Sequence, residues 1–521
     1  MVALFNTKKV QRAVPFTLPA PVKGLNGRDG LASMDPMNAF VMTNHFPGST
    51  TVDTRNGSVN FVTGVGGPVE SLETYVGGAL VKMLAFGNGS VYEISGGVLG
   101  AAIASGKTSN KISSAMFSNA GNQYLIGLTG ADAPFSYEGT TYTALAITGL
   151  TGSQNTLHGV LAFKGRLFFA QANQLGFYYL AVGAIQGVAS YFDLAQVAKK
   201  GGTLAGIASF SMDSGNGPAD YIVFLTTEGE YLLYSGTDPS SAVSWALVGR
   251  YYAAPPIGRK GWFNFRSDLY VITEAGLLSF RAIRNHGDTN EQQDYLTGVL
   301  GRIYTDLSTY STVHGWTSNI YSRNRMLVVN VPKGTSPAAG YVQFVMNTDT
   351  GAWCKFSEWD GLSWTVFNKR LYYGTYDGRI VLADEGSTDN GAQINCETRQ
   401  AYNYFDDGRG MGSSDKQFHY MIFIMQADGT PPISAQLTVN FLEDAPAYVG
   451  SLAPSTGPAW DVATWDVDGW GGDAATQNFT VGVGKVGFVG SVWMRTVATG
   501  TPLKWFATRV ICEKCAGLVL I

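Results

Sequence analysis

Leu371-Tyr372-Tyr373-Gly374-Thr375-Tyr376-Asp377-Gly378-Arg379-Ile380-Val381-Leu382 consists of two short apolar runs joined by a turn. In an extended chain Leu371, Tyr373 and Thr375 point one way and Tyr372, Gly374 and Tyr376 the other, the period of a half-buried β-hairpin. Asp377-Gly378 supplies the turn, because glycine enters backbone conformations that side chains resist. The same unit recurs upstream: a short apolar strand, a turn with Gly, Asn or Asp, then a strand rich in Tyr, Phe, Val and Ile. Copies are read at Met83–Ile94, Leu161–Ala170, Tyr221–Tyr234 and Leu269–Phe280, with a weaker one from Tyr124. They lie about 40 to 60 residues apart, the spacing of propeller blades with loop insertions.

The expected fold is therefore all-β, with a β-propeller of about six or seven blades over residues 61–390. An extended N-terminal arm over 1–60 precedes it and a C-terminal β-sandwich-like domain over 391–521 follows. An irregular stack of β-sandwiches is the alternative arrangement of the same strands. Pro15, Pro19, Pro21 and Pro36 interrupt regular structure in the arm, and Phe418–Ile424 and Ala435–Phe441 read as strands of the last domain. One inserted helix is predicted near 290–308. There Thr289-Asn290-Glu291-Gln292 has capping-box spacing and Leu296, Val299, Leu300, Ile303 and Leu307 recur at helical intervals, against the low helix propensity of Gly298 and Gly301.

Composition bounds the function. The 521 residues are 45% apolar and only 14% charged, against a usual quarter, which suits a chain that hides much of its surface in an assembly. The 65 glycines follow no Gly-X-Y period and read as turns. A net charge of −4 argues against a continuous basic face that would grip nucleic acid. The opening residues lack the apolar core of a secretory signal, and no stretch approaches membrane-spanning length, so synthesis in the cytoplasm without stable membrane insertion is expected.

Catalytic chemistry is not legible. The five histidines are dispersed, without metal-ligand spacing. Cys512-Glu513-Lys514-Cys515 has the C-x-x-C form but no second pair of ligands and no helix after it. Ser211–Gly215 and Ser387–Gly391 match the first half of the aspartate boxes found in sialidase propellers, and Asp466-Val467-Asp468-Gly469 only starts like a calcium loop. Trp460, Trp465 and Trp470 recur every five residues, which matches neither a helix face nor a strand face. No catalytic residue, cofactor or metal ligand is assigned, and the chain is read as not an enzyme.

Several segments nevertheless form a pattern. Ala20-Pro21-Val22-Lys23-Gly24-Leu25-Asn26-Gly27-Arg28-Asp29, Met34-Asp35-Pro36, Asn44-His45-Phe46-Pro47-Gly48 and Arg55-Asn56-Gly57 are followed by Met346–Cys354, the Leu371 hairpin ending at Asp384, the 460–470 tryptophans and Trp505-Phe506-Ala507-Thr508. In this order they resemble the tail nozzle (tail hub, or tail tubular) proteins of short-tailed bacteriophages over nearly the whole chain. The resemblance implies a virion structural protein assembled in the host cytoplasm. It implies a homohexameric nozzle that closes the tail and conducts double-stranded DNA during ejection. Its partners would be the head-to-tail adaptor, the portal complex, and tail fibres or tailspikes. Lys23, Gly24, Leu25, Asn26, Arg28, Asp29, Asn44, Phe46 and Pro47 are the candidate assembly residues, and Arg259, Lys260, Arg281, Arg284, Arg323 and Arg325 the candidate channel-facing cations. A glycan- or receptor-binding propeller tail protein, or a propeller glycoside hydrolase, is the competing reading.

A hexamer would carry six times −4, or −24. The isolated protein is expected to bind duplex DNA weakly and with a shallow salt slope, since few phosphates would be neutralised. Nanomolar duplex binding at physiological salt, read by fluorescence anisotropy, would contradict this.

Overall fold

The computed structural model describes residues 13–213, 218–286, 295–427, 429–442, 448–451, 476–498 and 500–515. The described chain is nearly all β, in many small sheets. It divides into a ring unit, Ser58–Val345 with Ser357–Asp384, and a second unit, Met1–Gly57 with Met346–Phe356 and Glu385–Ile521.

In the ring unit, seven groups of paired strands follow one another among the described residues, all but the sixth being small antiparallel sheets and the sixth, Thr317–Tyr321 with Met326–Pro332 and Tyr341–Asn347, belonging to a ten-stranded sheet. Their first strands are Val69–Gly77, Ser113–Ser118, Leu157–Phe163, Leu204–Asp213, Trp262–Phe265, Thr317–Tyr321 and Gly361–Phe367. Each of these strands touches the next in chain order, and the seventh touches the first. The Thr74 and Thr365 hydroxyls lie 2.9 Å apart across that last junction, and Ser363 Oγ donates to the Val69 carbonyl at 2.7 Å. The seventh sheet is completed from far upstream, because Ser58–Val62 pairs antiparallel with Ile380–Ala383.

Tight turns make the sheets. Asn88 and Gly89 both have positive φ (50° and 68°), as do Lys164 and Gly165 (44° and 75°). These are two-residue turns of the kind whose twist matches that of paired strands. They join Leu80–Gly87 to Ser90–Glu93 and Leu157–Phe163 to Arg166–Gln171.

The core lies between sheets rather than inside one. Phe168 packs with the fourth sheet through Ile222, Phe224 and Trp245, whereas its neighbours Leu167 and Phe169 pack with the second through Ile126 and Leu128. Alternate side chains of one strand thus feed two different cores. Phe177 and Phe224 stack across one junction at 4.3 Å, worth about 0.5–1.5 kcal/mol beyond burial. At another, Gln343 Nε2 donates to Asn330 Oδ1 (2.8 Å) and to the Trp359 carbonyl (2.7 Å), a buried amide pair that is fully engaged through its donors.

Consequently the Leu371 hairpin is not half-buried. Leu371, Tyr372, Tyr373, Gly374 and Thr375 are all buried, and Tyr376 and Asp377 at the turn are exposed. The alternation holds, with Tyr372 facing Phe61 and Tyr373 facing Trp364, but neighbours cover both faces.

The helix expected near 290–308 takes a different form. Two short helices, α1 (Phe280–His286) and α2 (Arg302–Ser308), flank a 3-10 turn at Gly298–Leu300. Gly301, at φ 50° and ψ −129°, is outside the helical region and stops α2 from extending backwards. The capping-box residues 289–292 lie outside the described residues.

The domain limits also differ from expectation. Residues 13–57 are not a separate extended arm. Val14–Pro19 pairs along its length with Leu503–Lys514, and Asn38–Thr43 pairs with Ile394–Gln400. The prolines of the first strand are tolerated because it is a terminal strand with only one ladder partner. Residues 346–356 belong to this second unit and 58–62 to the ring, so the limits at 60 and 390 move to 57 and 385. The 460–470 tryptophans and Asp466–Gly469 lie outside the described residues.

His45 sits fully buried in the second unit, sharing a 2.8 Å hydrogen bond with Thr398 Oγ1 through Nδ1. Loss of hydration lowers its pKa from 6.5 to about 4. The unfolded chain therefore takes up this proton first, so the stability due to neutral His45 is complete above pH 6.5 and is lost as pH falls towards 4. Urea unfolding is expected to show roughly 3 kcal/mol of loss from this residue across that window. A His45→Asn variant with an unchanged pH slope would contradict it.

Candidate functional site

The first strands of the ring surround a cavity of about 510 Å3, to which each of the seven contributes, from Leu72-Glu73 in the first to Trp364-Thr365 in the last. A smaller cavity of about 210 Å3 shares Arg259, Lys260, Thr317 and Trp364 with it. The charges are unevenly cancelled. Glu73 is paired with Lys260, and its other oxygen accepts the Ser114 hydroxyl at 2.6 Å. Lys111 stands 3.9 Å from the Glu70 carboxylate. Arg259 Nη1 donates to the carbonyls of Thr129 and Lys111. Among the described residues no carboxylate comes within ion-pair distance of its guanidinium.

Two histidines stand beside these cations. His314 donates from Nε2 to the Glu70 carbonyl at 2.9 Å, and burial lowers its pKa to about 4, helped by the positive charges of Lys111, Lys260 and Arg259. His158 is lowered to about 4 as well, first by burial and then by Arg259. Both imidazoles are neutral at pH 7. Burial also lowers the pKa of Arg259, with Glu70 opposing the shift.

Of the candidate channel-facing residues, the structure brings only Arg259 and Lys260 to this cavity. Arg281 and Arg284 lie on α1, where the Arg281 guanidinium donates to the Ser267 carbonyl at 2.6 Å. Arg323 and Arg325 sit at the turn between Thr317–Tyr321 and Met326–Pro332. Glu73, Ser114 and Trp262 carry no site motif in the sequence, and His314 reads there only as one of five dispersed histidines. A glutamate within the apolar strand Val69–Gly77 was the available signal, since a buried carboxylate needs a partner.

The candidate assembly residues come together in the second unit. Gly24, at φ 80°, lies beside Trp353, whose backbone leaves no room for a Cβ there. The buried Leu25 pairs with Ala39, and Asn26 Oδ1 accepts the backbone N–H groups of Arg28 and Asp29, both at 3.0 Å. Lys23 pairs with Asp35 at the surface. Asn44, at φ 56°, donates to the Asn395 carbonyl (2.7 Å) and accepts from Arg55 Nε (3.0 Å). Arg55 is fully buried and bidentate on Asp389, at 2.6 and 3.1 Å. That gives the half aspartate box at Ser387–Gly391 a structural role. Phe46 meets the Phe356 ring, and the Pro47 carbonyl accepts from Asn347 at 2.9 Å.

No group of three or more His, Cys, Asp or Glu side chains placed to hold a metal occurs among the described residues. No protein-family profile matches the chain, and no curated protein does. Solved structures similar to it include Chaetomium thermophilum Raptor, at 10% identity over 64% of this chain and 29% of that one, with a TM-score of 0.40. BBS1N in complex with ARL6DN is similar at 11% identity over 64% and 99%, TM-score 0.39. The β-propeller domain of Myceliophteria thermophila Cps50 (Swd1) is similar at 11% over 61% and 97%, TM-score 0.38.

The Glu73–Lys260 pair is asymmetric, with side chains 10% and 35% exposed. Lys260→Met strands a buried carboxylate, whereas Glu73→Gln leaves an ammonium that reaches solvent. Urea denaturation is expected to find Lys260→Met the more destabilising by about 2 kcal/mol or more. Equal losses would contradict the assigned burial.

Proposed function

We propose that the chain is a structural component of a short phage tail, a hexameric nozzle that closes the tail and conducts double-stranded DNA during ejection. In this reading the ring unit is a seven-bladed β-propeller, closed by the Ser58–Val62 strand in its last blade, and the second unit is the assembly platform. The observation that carries it is the convergence of the nozzle-like segments. Residues 20–29, 44–57, 346–354 and 505–508, scattered over nearly the whole chain, meet through Gly24 beside Trp353, Asn347 on Pro47 and the Ala20 amide on Phe506. Segments that build one unit together are expected to keep their order and spacing in relatives that share it.

The cavity supports a lumen between protomers rather than within one. About 510 Å3 is a cube of about 8 Å edge, smaller than a duplex whose major groove alone is about 12 Å wide. DNA would then pass along an axis shared by six chains, touching a surface of net negative charge and sliding rather than sticking. The adaptor, the portal, and fibres or tailspikes are the partners of this reading. Negative-stain images of the purified protein are expected to average to six-fold rings with an open centre. Particles of single-chain size at every concentration imaged would overturn the proposal.

A further inference from the structure

We propose that the central cavity of the ring unit binds a small polyhydroxylated carboxylate of the uronic-acid class, with Arg259 holding the carboxylate and Trp262 taking an apolar face of the sugar. This goes beyond the tail reading and does not rest on it. Size is the first argument, since about 510 Å3 falls within the about 300–1,000 Å3 of small-molecule sites and far exceeds the space of one or two waters.

Charge is the second. Lys260 is cancelled by Glu73 and Lys111 stands by Glu70, which leaves Arg259 as the cavity cation with no carboxylate within ion-pair distance among the described residues. Its Nη1 is anchored on two carbonyls, so the guanidinium is held in place, and among the described residues no hydrogen bond engages Nε or Nη2. A guanidinium edge matches a carboxylate through two parallel hydrogen bonds. The nearby Glu70 and Glu73 oppose a second negative charge, which favours a monoanion over a phosphate dianion.

The remaining wall suits a sugar. Ser209, Asn264 and Asn319 line it, and the Asn264 amide reaches Ser209 only at 3.4 Å, so these groups can exchange their weak contacts for ligand hydroxyls. Trp262 is half-buried and lies over Gly206, where any Cβ would collide with the ring. The glycine therefore holds a flat indole against the cavity, the kind of surface on which the C–H face of a pyranose packs.

Isothermal titration calorimetry of the full-length protein at pH 7, with D-glucuronate, D-glucose and inorganic phosphate as separate probes, tests the proposal. Saturable one-to-one binding of glucuronate is expected, with glucose and phosphate each at least tenfold weaker. Arg259→Gln should weaken glucuronate binding at least tenfold. Asn319→Ala, which leaves every buried ion pair intact, should weaken it severalfold and carries the test if Arg259→Gln does not fold. Failure of glucuronate to bind below about 10 mM overturns the site. So does glucose or phosphate binding as tightly as glucuronate, or an Asn319→Ala protein that folds and binds unchanged.

Discussion

The first four sheets of the ring unit are apolar on both faces, and that constraint governs the rest of it. A single four-stranded sheet such as Leu157–Phe163 with its partners cannot bury Leu167 and Phe168 at once unless another sheet stands on each side. Each added sheet covers one face and exposes another, so an open row always ends in two uncovered surfaces. Contact between the seventh and first strands removes both. The Val62 and Ile380 side chains then share one core with Val69 and Leu72 of the first sheet, where the start and end of the ring meet. Closure by a strand from upstream ties the ring by backbone hydrogen bonds as well as by packing.

The second unit solves a different problem, because its strands come from three distant parts of the chain. Hydrophobic burial is non-directional and would tolerate several registers. Buried polar groups are less tolerant, since each unpaired one costs about 1–3 kcal/mol. Arg55 on Asp389, Asn44 between Asn395 and Arg55, and Gln400 Nε2 on the Pro19 and Pro36 carbonyls each join segments hundreds of residues apart. A slipped strand would leave several of these groups unsatisfied together, so they act as a register device.

The polar cavity follows from the same ring geometry. First strands that meet around a centre cannot fill it with large side chains from every sheet, and residues such as Ser114, Ser209 and Asn319 leave it open. Charged groups that enter such a space are held by one another, as Glu73 and Lys260 are, or remain available, as Arg259 is. A tail conduit and a small-molecule site use different surfaces, and the two proposals stand or fall separately.

The sequence by itself determined the all-β character and the local hairpins. Strand periodicity and turns such as Asn88-Gly89, Lys164-Gly165 and Asp377-Gly378 are encoded within a few residues and need no distant partner. It also marked Arg259 and Lys260 as a basic pair, though not what surrounds them. Only the tertiary structure decided that the Leu371 hairpin is covered on both faces, and that residues 13–57 belong with 385–515 instead of forming an arm. It alone divided the helical segment at Gly301 and joined Glu73 to Lys260, 187 residues away. These outcomes depend on which surfaces meet. A strand's alternation states that it has two faces, but not what covers them, and a lone glutamate in a strand states that it needs a cation, but not which one.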